Sequence, residues 1–358
     1  MQNKVPLLPI TGAPTTLVAQ TLQELLANGP LTTAQLARRL HSSRGAVGEV
    51  IKHLDRAGLI ADFGTFKTMG RPGILQGIPD ELGWVVGVDL GATNIRVAVS
   101  NVRGELVGDI RRLTPRTNVE SLLNEMHLML HELARATGTK VDPVLAVCVG
   151  VPGTVSTNKD SISNAENLPF INGNRFLDEL RNRWQSRIIV DNDVTLAALG
   201  EWVNRHSGPD DDHLTSDLAF LSLGTGMGLG FVVNGQAWRG AHGAAGEIGL
   251  VARGLSQTNS LEELFTRSIF DHDHITDIVL VHALEIVSRI LDPSVVVVGG
   301  GRIHSQYIVD KARVSLASRV APLPHIEVSQ LGDQAGLVGA LSTALQSAHL
   351  TITSRVCN

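Results

Sequence analysis

Two cysteines, Cys148 and Cys357, are all that this 358-residue chain contains. Two thiols cannot build a disulfide framework or a multi-cysteine zinc site. Cys148 lies in the apolar run 144–151 and reads as a small buried hydrophobe. Aromatic residues are scarce at 4%, while the 43% apolar fraction and 36 glycines suit an ordinary α/β protein. Long apolar runs are missing too. None approaches the ~20 residues of a membrane span, and residues 1–10 lack a basic stretch leading into a long apolar core. The expectation is a cytoplasmic protein with no membrane partner, long enough for two or three domains.

Charge is unevenly placed. Residues 1–80 carry eight Lys/Arg against five Asp/Glu, whereas the whole chain is −5. A mildly basic head on an acidic body suits a local DNA contact rather than a protein that coats polyanions.

The head is written in helical spacing. Leu17, Val18, Leu22, Leu25 and Leu26 mark a first helix, which Asn28-Gly29-Pro30 stops. Thr32 with Gln35 is a capping-box start for a short second helix carrying Leu36 and Leu40. His41-Ser42-Ser43 turns the chain into a third helix with Val47, Val50, Ile51 and Leu54 on one stripe, ending near Ala57-Gly58. Its outward face offers Ser43, Arg44, Gly45, Glu49, Lys52 and His53. Two short helices around a tight turn predict a helix-turn-helix, whose second helix enters the major groove of duplex DNA. Gly45 and Gly48 weaken that helix but permit close backbone approach. Residues 61–78 predict a β-hairpin wing, where Lys67 and Arg71 reach phosphates or a minor groove.

From Trp84 the pattern changes. The strand 85–89 runs into Leu90-Gly91-Ala92-Thr93-Asn94 and returns as a second strand, a hairpin whose N–H groups can wrap a phosphate. The design recurs at 218–223, Gly224-Thr225-Gly226-Met227-Gly228 and 229–233. A third turn, Gly299-Gly300-Gly301, follows the strand 295–298. One such turn is usually just a turn; three form a set.

At these residues the chain resembles the ROK family of repressors, open reading frames and sugar kinases. The resemblance runs from about Trp84 to Leu345, and the winged head places it with the repressor branch. It implies two actin/hexokinase-like (ribonuclease H-like) α/β lobes behind the winged helix-turn-helix. The implied domains are a head over 1–80, a first lobe over 81–193 completed by a helix near 334–347, and a second lobe over 194–333. Asp89, Gly91 and Thr93 match the first phosphate loop; Gly224, Thr225, Gly226 and Gly228 match the second; Gly300 and Gly301 match the turn near the adenosine. Asn192 and Asp193 match the sugar-binding Asn and the catalytic base, with Thr195 where a second Asn is usual. Gly150 and Asn167 match sugar-side loops, and Gly332 to Ala340 resembles the start of the last helix. Asp193 also has a plainer reading as the cap of the helix that follows it.

The resemblance breaks at the metal. Where the family has a histidine after Gly-Glu-Ile-Gly and a cysteine cluster closing on Gly-Cys-Leu-Glu, this chain has Gly246-Glu247-Ile248-Gly249-Leu250 and Asn259-Ser260-Leu261-Glu262. Tetrahedral zinc needs thiolate or imidazole ligands that these residues cannot supply, so no zinc and no other metal is expected. Glu247 and Glu262 remain as sugar-facing carboxylates. The runs Asp271-His272-Asp273-His274 and Asp210-Asp211-Asp212-His213 read as solvated segments.

Three functions are open at this point. The leading expectation is a regulator that binds a near-palindromic operator as a homodimer or dimer of dimers, and senses a sugar or sugar phosphate between its lobes. The second is a sugar kinase carrying a DNA-binding head, using Mg-ATP with Asp193 as base. The third, a scaffold, is disfavoured by the retained carboxylates. Fold resemblance alone does not decide catalysis.

Overall fold

A computed structural model describes residues 4–8, 16–67, 72–138, 140–206, 217–224, 226–250, 260–261, 263, 274–301 and 306–357. In the head, Thr16 accepts the Ala19 N–H to start α1 (Leu17–Asn28), and Gly29 at φ 75° ends it. Thr32 closes the short strand β1 (Leu31–Thr32) and forms a reciprocal capping box with Gln35 at the start of α2 (Thr33–Arg39). Ser43 caps α3 (Arg44–Arg56), whose Val47, Val50 and Leu54 bury themselves with Leu22, Leu25 and Leu36. β2 (Ala61–Phe66) and β3 (Gly73–Gly77) pair antiparallel, and β1 joins the far edge of β3 to make a three-stranded wing.

The first lobe carries β4 (Trp84–Leu90), β5 (Asn94–Asn101), β6 (Leu106–Leu113), α4 (Val119–Ala136), β7 (Val144–Val151), the small pair β8 (Thr154–Val155) and β9 (Ile162–Ser163), α5 (Arg175–Arg183) and β10 (Arg187–Asn192). Its sheet runs β10-β7-β4-β5-β6, with β7 and β10 parallel to β4 and the β4-β5-β6 meander antiparallel. The near-continuous apolar strands are explained by burial on both faces. Val86, Val88, Val147 and Val149 face α4 and α5, while Val85, Ala146 and Cys148 face the other way.

α6 (Asp193–Arg205) crosses to the second lobe, built from β11 (Leu218–Leu223), β12 (Met227–Val233), β13 (Gln236–Ala237), α7 (His274–Leu291), β14 (Val295–Gly299), α8 (Gln306–Ala317) and β15 (His325–Val328). The sheet order is β13-β12-β11-β14-β15. Leu221, Val296 and Val298 pack with Leu280 and Leu284 of α7 and Val309 of α8.

The last helix, α9 (Ala335–Cys357), returns to the first lobe. It extends ten residues beyond the 347 expected from sequence, because Ala348 and Ile352 are buried in the core that also holds Leu22 and Leu25 of the head. α6 and α9 touch backbone to backbone: a Cβ on Gly339 would stand 1.8 Å from the Leu196 carbonyl oxygen. No helix among the described residues is long and apolar enough to cross a membrane.

Candidate ligand cleft and nucleic-acid interface

β4, β7 and β10 run parallel, so their carboxyl ends, where Asp89, Gly150 and Asn192 lie, share one edge of the first-lobe sheet, the usual ligand position in open α/β sheets. At the end of β10 the chain turns into α6, and the capping work falls to Asn192. Its Oδ1 accepts the Thr195 N–H at 2.9 Å and its Nδ2 donates to the Gly153 carbonyl at 3.1 Å. The plainer reading of Asp193 as cap is therefore corrected: the extended backbone of Asn192 (φ −65°, ψ 140°) puts the cap one residue earlier. Asn192, expected to bind sugar, has both ends of its amide engaged within the protein.

Asp193 is half-buried and accepts the N–H of Val194 at 2.9 Å. Burial pushes its carboxyl up to about 7, and the nearby Asp89 and Glu247 carboxylates push the same way. Glu247 comes from the second lobe and accepts the Thr154 hydroxyl of the first at 2.9 Å; Thr154 in turn accepts from Asn164 Nδ2 at 3.2 Å. Gly246 makes this possible, since at φ 94° a Cβ there would fall 1.7 Å from the Leu229 oxygen. Gly150 lets α6 approach β7: its Cβ would lie 3.0 Å from Leu196 Cδ1. Asn167 is exposed, and its carbonyl meets Arg116 at 3.4 Å. The side chains that join Glu247 are Thr154 and Asn164, which the sequence reading did not name and no motif marks. Glu262, Thr225 and Arg71 lie outside the described residues, as do 271–273.

The first glycine turn is a tight hairpin. The Gly91 N–H donates to the Asn94 carbonyl at 3.0 Å, and Thr114 holds the Gly91 and Thr93 carbonyls at 2.7 and 3.0 Å. The N–H groups of Ala92 and Thr93 meet no acceptor among the described residues. Beneath them Asp89 is pushed up to about 6 by burial, which the Arg96 guanidinium partly offsets and Asp333 reinforces. Arg96 reaches Asp333 Oδ2 at 2.8 Å, and a Cβ on Gly336 would come within 3.0 Å of Asp89 Oδ1. In the second turn Gly224 donates to the Gly226 carbonyl at 3.0 Å. Gly228 presses on α6, where a Cβ would stand 2.8 Å from Val194 Cγ2. Gly300, at φ 95°, packs on the exit of β11 beside Leu223, with Gly301 in open space.

On the head, Ser43, Arg44, Gly45, Lys52 and His53 are all exposed along α3, and Lys67 is exposed at the end of the wing strand. Lys52 pairs with Glu49 at 2.7 Å, so part of its charge is already answered. Phe66 and Ile74 expose apolar surface on the same wing.

Residues 85–257 match the model of the ROK family, and residues 12–62 match that of the MarR family. The chain carries a ROK family domain behind a MarR-type winged-helix head. The chain is similar to the xylose repressor of Caldicellulosiruptor bescii, 25% identical over 232 residues, or 64% of this chain and 56% of that protein. The chain thus spans little more than half of that relative's length. It is also similar to the N-acetyl-D-glucosamine kinase of Pectobacterium carotovorum, 28% identical over 71% of this chain and 96% of that one. Among solved structures, a ROK family transcriptional regulator described as a homologue of the E. coli MLC protein superposes over 94% of this chain and 98% of its own. The TM-score is 0.70 at 16% identity, a likeness of fold: a winged head joined to a two-lobed actin/hexokinase-like body.

Proposed function

We propose that this chain is a transcriptional repressor whose ROK body binds a sugar or sugar phosphate between its lobes and so changes the affinity of the winged head for operator DNA. The observation that carries the reading is α9. Its first turn lies against Asp89 at the phosphate loop through Gly336, and its later turns share a core with α1 of the head. A ligand that moves the lobes therefore acts on a helix packed directly on the DNA-reading unit, which is how two sites come to share a coupling energy. The xylose repressors among its relatives support the same reading.

Asp193 and Glu247 have free acceptor capacity and would take paired hydroxyl donors, charge-assisted bonds being stronger than neutral ones. The chain would act as a symmetric dimer or pair of dimers on a near-palindromic site. The family's zinc does not fit the residues present, since Leu250 and Ser260 offer no ligand. The test is selection of duplexes by the full chain, followed by anisotropy titration with and without xylose, glucose, N-acetylglucosamine and their phosphate esters. A sugar-dependent change in operator affinity is expected. Failure to enrich any duplex sinks the proposal.

A second reading, a sugar kinase, is favoured by Asp193, which is relieved of capping and titrates near neutrality. Mg-ATP would supply the phosphoryl group, with Asp89, Gly91, Thr93, Gly224, Gly226 and Gly228 holding it. Asp193 would take the hydroxyl proton as the sugar oxygen bonds to phosphorus and ADP leaves. ADP release that requires a sugar and vanishes in Asp193→Asn would favour this reading.

A further inference from the structure

One residue before Asn192 stands a carboxylate that neither the sugar nor the phosphate machinery uses. The Asp191 side chain is only 4% exposed, and donors from three residues converge on it. Its Oδ2 accepts Arg239 Nε at 2.7 Å and lies 2.5 Å from Arg239 Nη2. Its Oδ1 accepts Lys159 Nζ at 3.3 Å and the Asn192 N–H at 3.0 Å. Arg239 is itself steadied by the Ala237 carbonyl at 3.0 Å.

These donors come from different parts of the molecule. Lys159 lies between β8 and β9 of the first lobe, and Arg239 follows β13 of the second. The contact therefore crosses the lobes. It belongs to a seam in which Thr157 donates to the Ala241 carbonyl at 2.7 Å, and Gly243 lies so close to the Val155 carbonyl that a Cβ would meet it at 2.0 Å. The two segments joined here are the ones that present Thr154 and Glu247, whose hydrogen bond spans the cleft. Two nitrogens of the planar guanidinium converge on one carboxylate oxygen, Oδ2, which constrains orientation as well as distance. Removing one partner from a buried pair leaves an uncompensated charge, so such a contact favours a single arrangement.

We infer that Arg239 is a positioning residue for the cleft: by gripping Asp191 across the lobes, with Lys159 as second cation, it sets the separation of the Thr154 and Glu247 segments and so the shape presented to a ligand. This rests on the cleft being the effector site. Arg239 itself makes no bond to the effector in this scheme. It acts through Asp191, and through the backbone of Asn192 that Asp191 holds.

The experiment is hydrogen exchange on the full-length protein without ligand, paired with calorimetry. In Arg239→Ala, amides in 154–163 and 238–247 should exchange about tenfold faster, while those in α4 stay as in wild type. Arg239→Lys, which keeps the charge but not the two-point grip, should fall between. Lys159→Met should give a smaller rise in the same two segments. Of xylose, glucose, N-acetylglucosamine and their phosphate esters, whichever binds wild type most tightly should bind Arg239→Ala about tenfold more weakly. Unchanged exchange in both segments overturns the inference, and so does a rise that extends equally into α4, which would mark a purely structural contact. If Arg239→Ala does not fold, Arg239→Lys and Lys159→Met carry the same comparison. If none of the three sugars or their phosphate esters binds wild type, the effector reading fails, while the exchange data still decide whether the lobes are clasped here.

Discussion

The guanidinium of Arg103 lies 5.3 Å from the centre of the Phe63 ring, a cation of the first lobe set over an aromatic of the wing. The same group pairs with Asp80 at 2.8 Å and Glu105 at 2.7 Å, and donates to the Ile78 carbonyl at 3.3 Å. One residue earlier, the Val102 carbonyl meets His349 Nε2 of α9 at 2.7 Å. The turn between β5 and β6 is thus where wing, body and last helix are fastened together.

Arg103→Ala should lose the ring contact, each such contact contributing about 0.5–2 kcal/mol, and leave Asp80 and Glu105 with the Asn101 amide but without the guanidinium. A total destabilisation of about 1–3 kcal/mol is expected in urea melts, with Arg103→Lys recovering part of it. Melts that superpose on wild type would mean that the wing is not fastened here.

Arg44 is exposed in the first turn of α3, where side chains meet base edges, whereas Lys67 sits on the wing. Arg44→Ala should relax base preference about tenfold. Lys67→Ala should weaken all duplexes evenly and flatten the salt dependence by about one unit of slope. Anisotropy titrations at three salt concentrations separate the two, and equal slopes for wild type and Lys67→Ala would remove the wing from the interface.

Asp193 titrates near 7 in the folded protein, above the ordinary range for an unfolded carboxyl. The folded state therefore binds more protons than the unfolded one across the interval between, and its contribution to stability is full in acid and lost as pH rises through about 7. Wild type should weaken between pH 5 and 7.5 relative to Asp193→Asn, which cannot titrate. Urea melts at the two pH values measure this. A difference between the two proteins that does not change with pH would rule out a raised carboxyl.

Chelation should leave the melting temperature where it is, because the family's ligands are replaced by Leu250 and Ser260. Elemental analysis of tag-free protein is the check. One zinc per chain, with a melt that falls on chelation, would contradict the reading of residues 246–264.

Local chemistry was the legible part. The Thr32–Gln35 box, the Ser43 cap and the apolar stripe of α3 involve residues three or four apart, so sequence spacing states them directly. The cap of α6 was ambiguous because Asn192 and Asp193 are both good cap residues, and the choice depends on where β10 stops. Thr154 and Asn164 were invisible because their meaning comes from Glu247, 93 residues beyond Thr154. Asp191 was overlooked for a similar reason: its partners Lys159 and Arg239 lie 32 residues before and 48 residues after it. The extra length of α9 follows from burial against the head, a tertiary effect that propensity cannot announce.

That burial also limits how far the two parts can be traded independently. Cutting after residue 80 would divide the core that Leu345, Ala348 and Ile352 of α9 share with Leu22 and Leu25 of α1. Each fragment would carry an open apolar face of the kind that drives self-association. A different DNA specificity is thus more readily reached by rewriting the surface of α3 than by exchanging the whole head, because an imported head would have to arrive with a matching last two turns of α9.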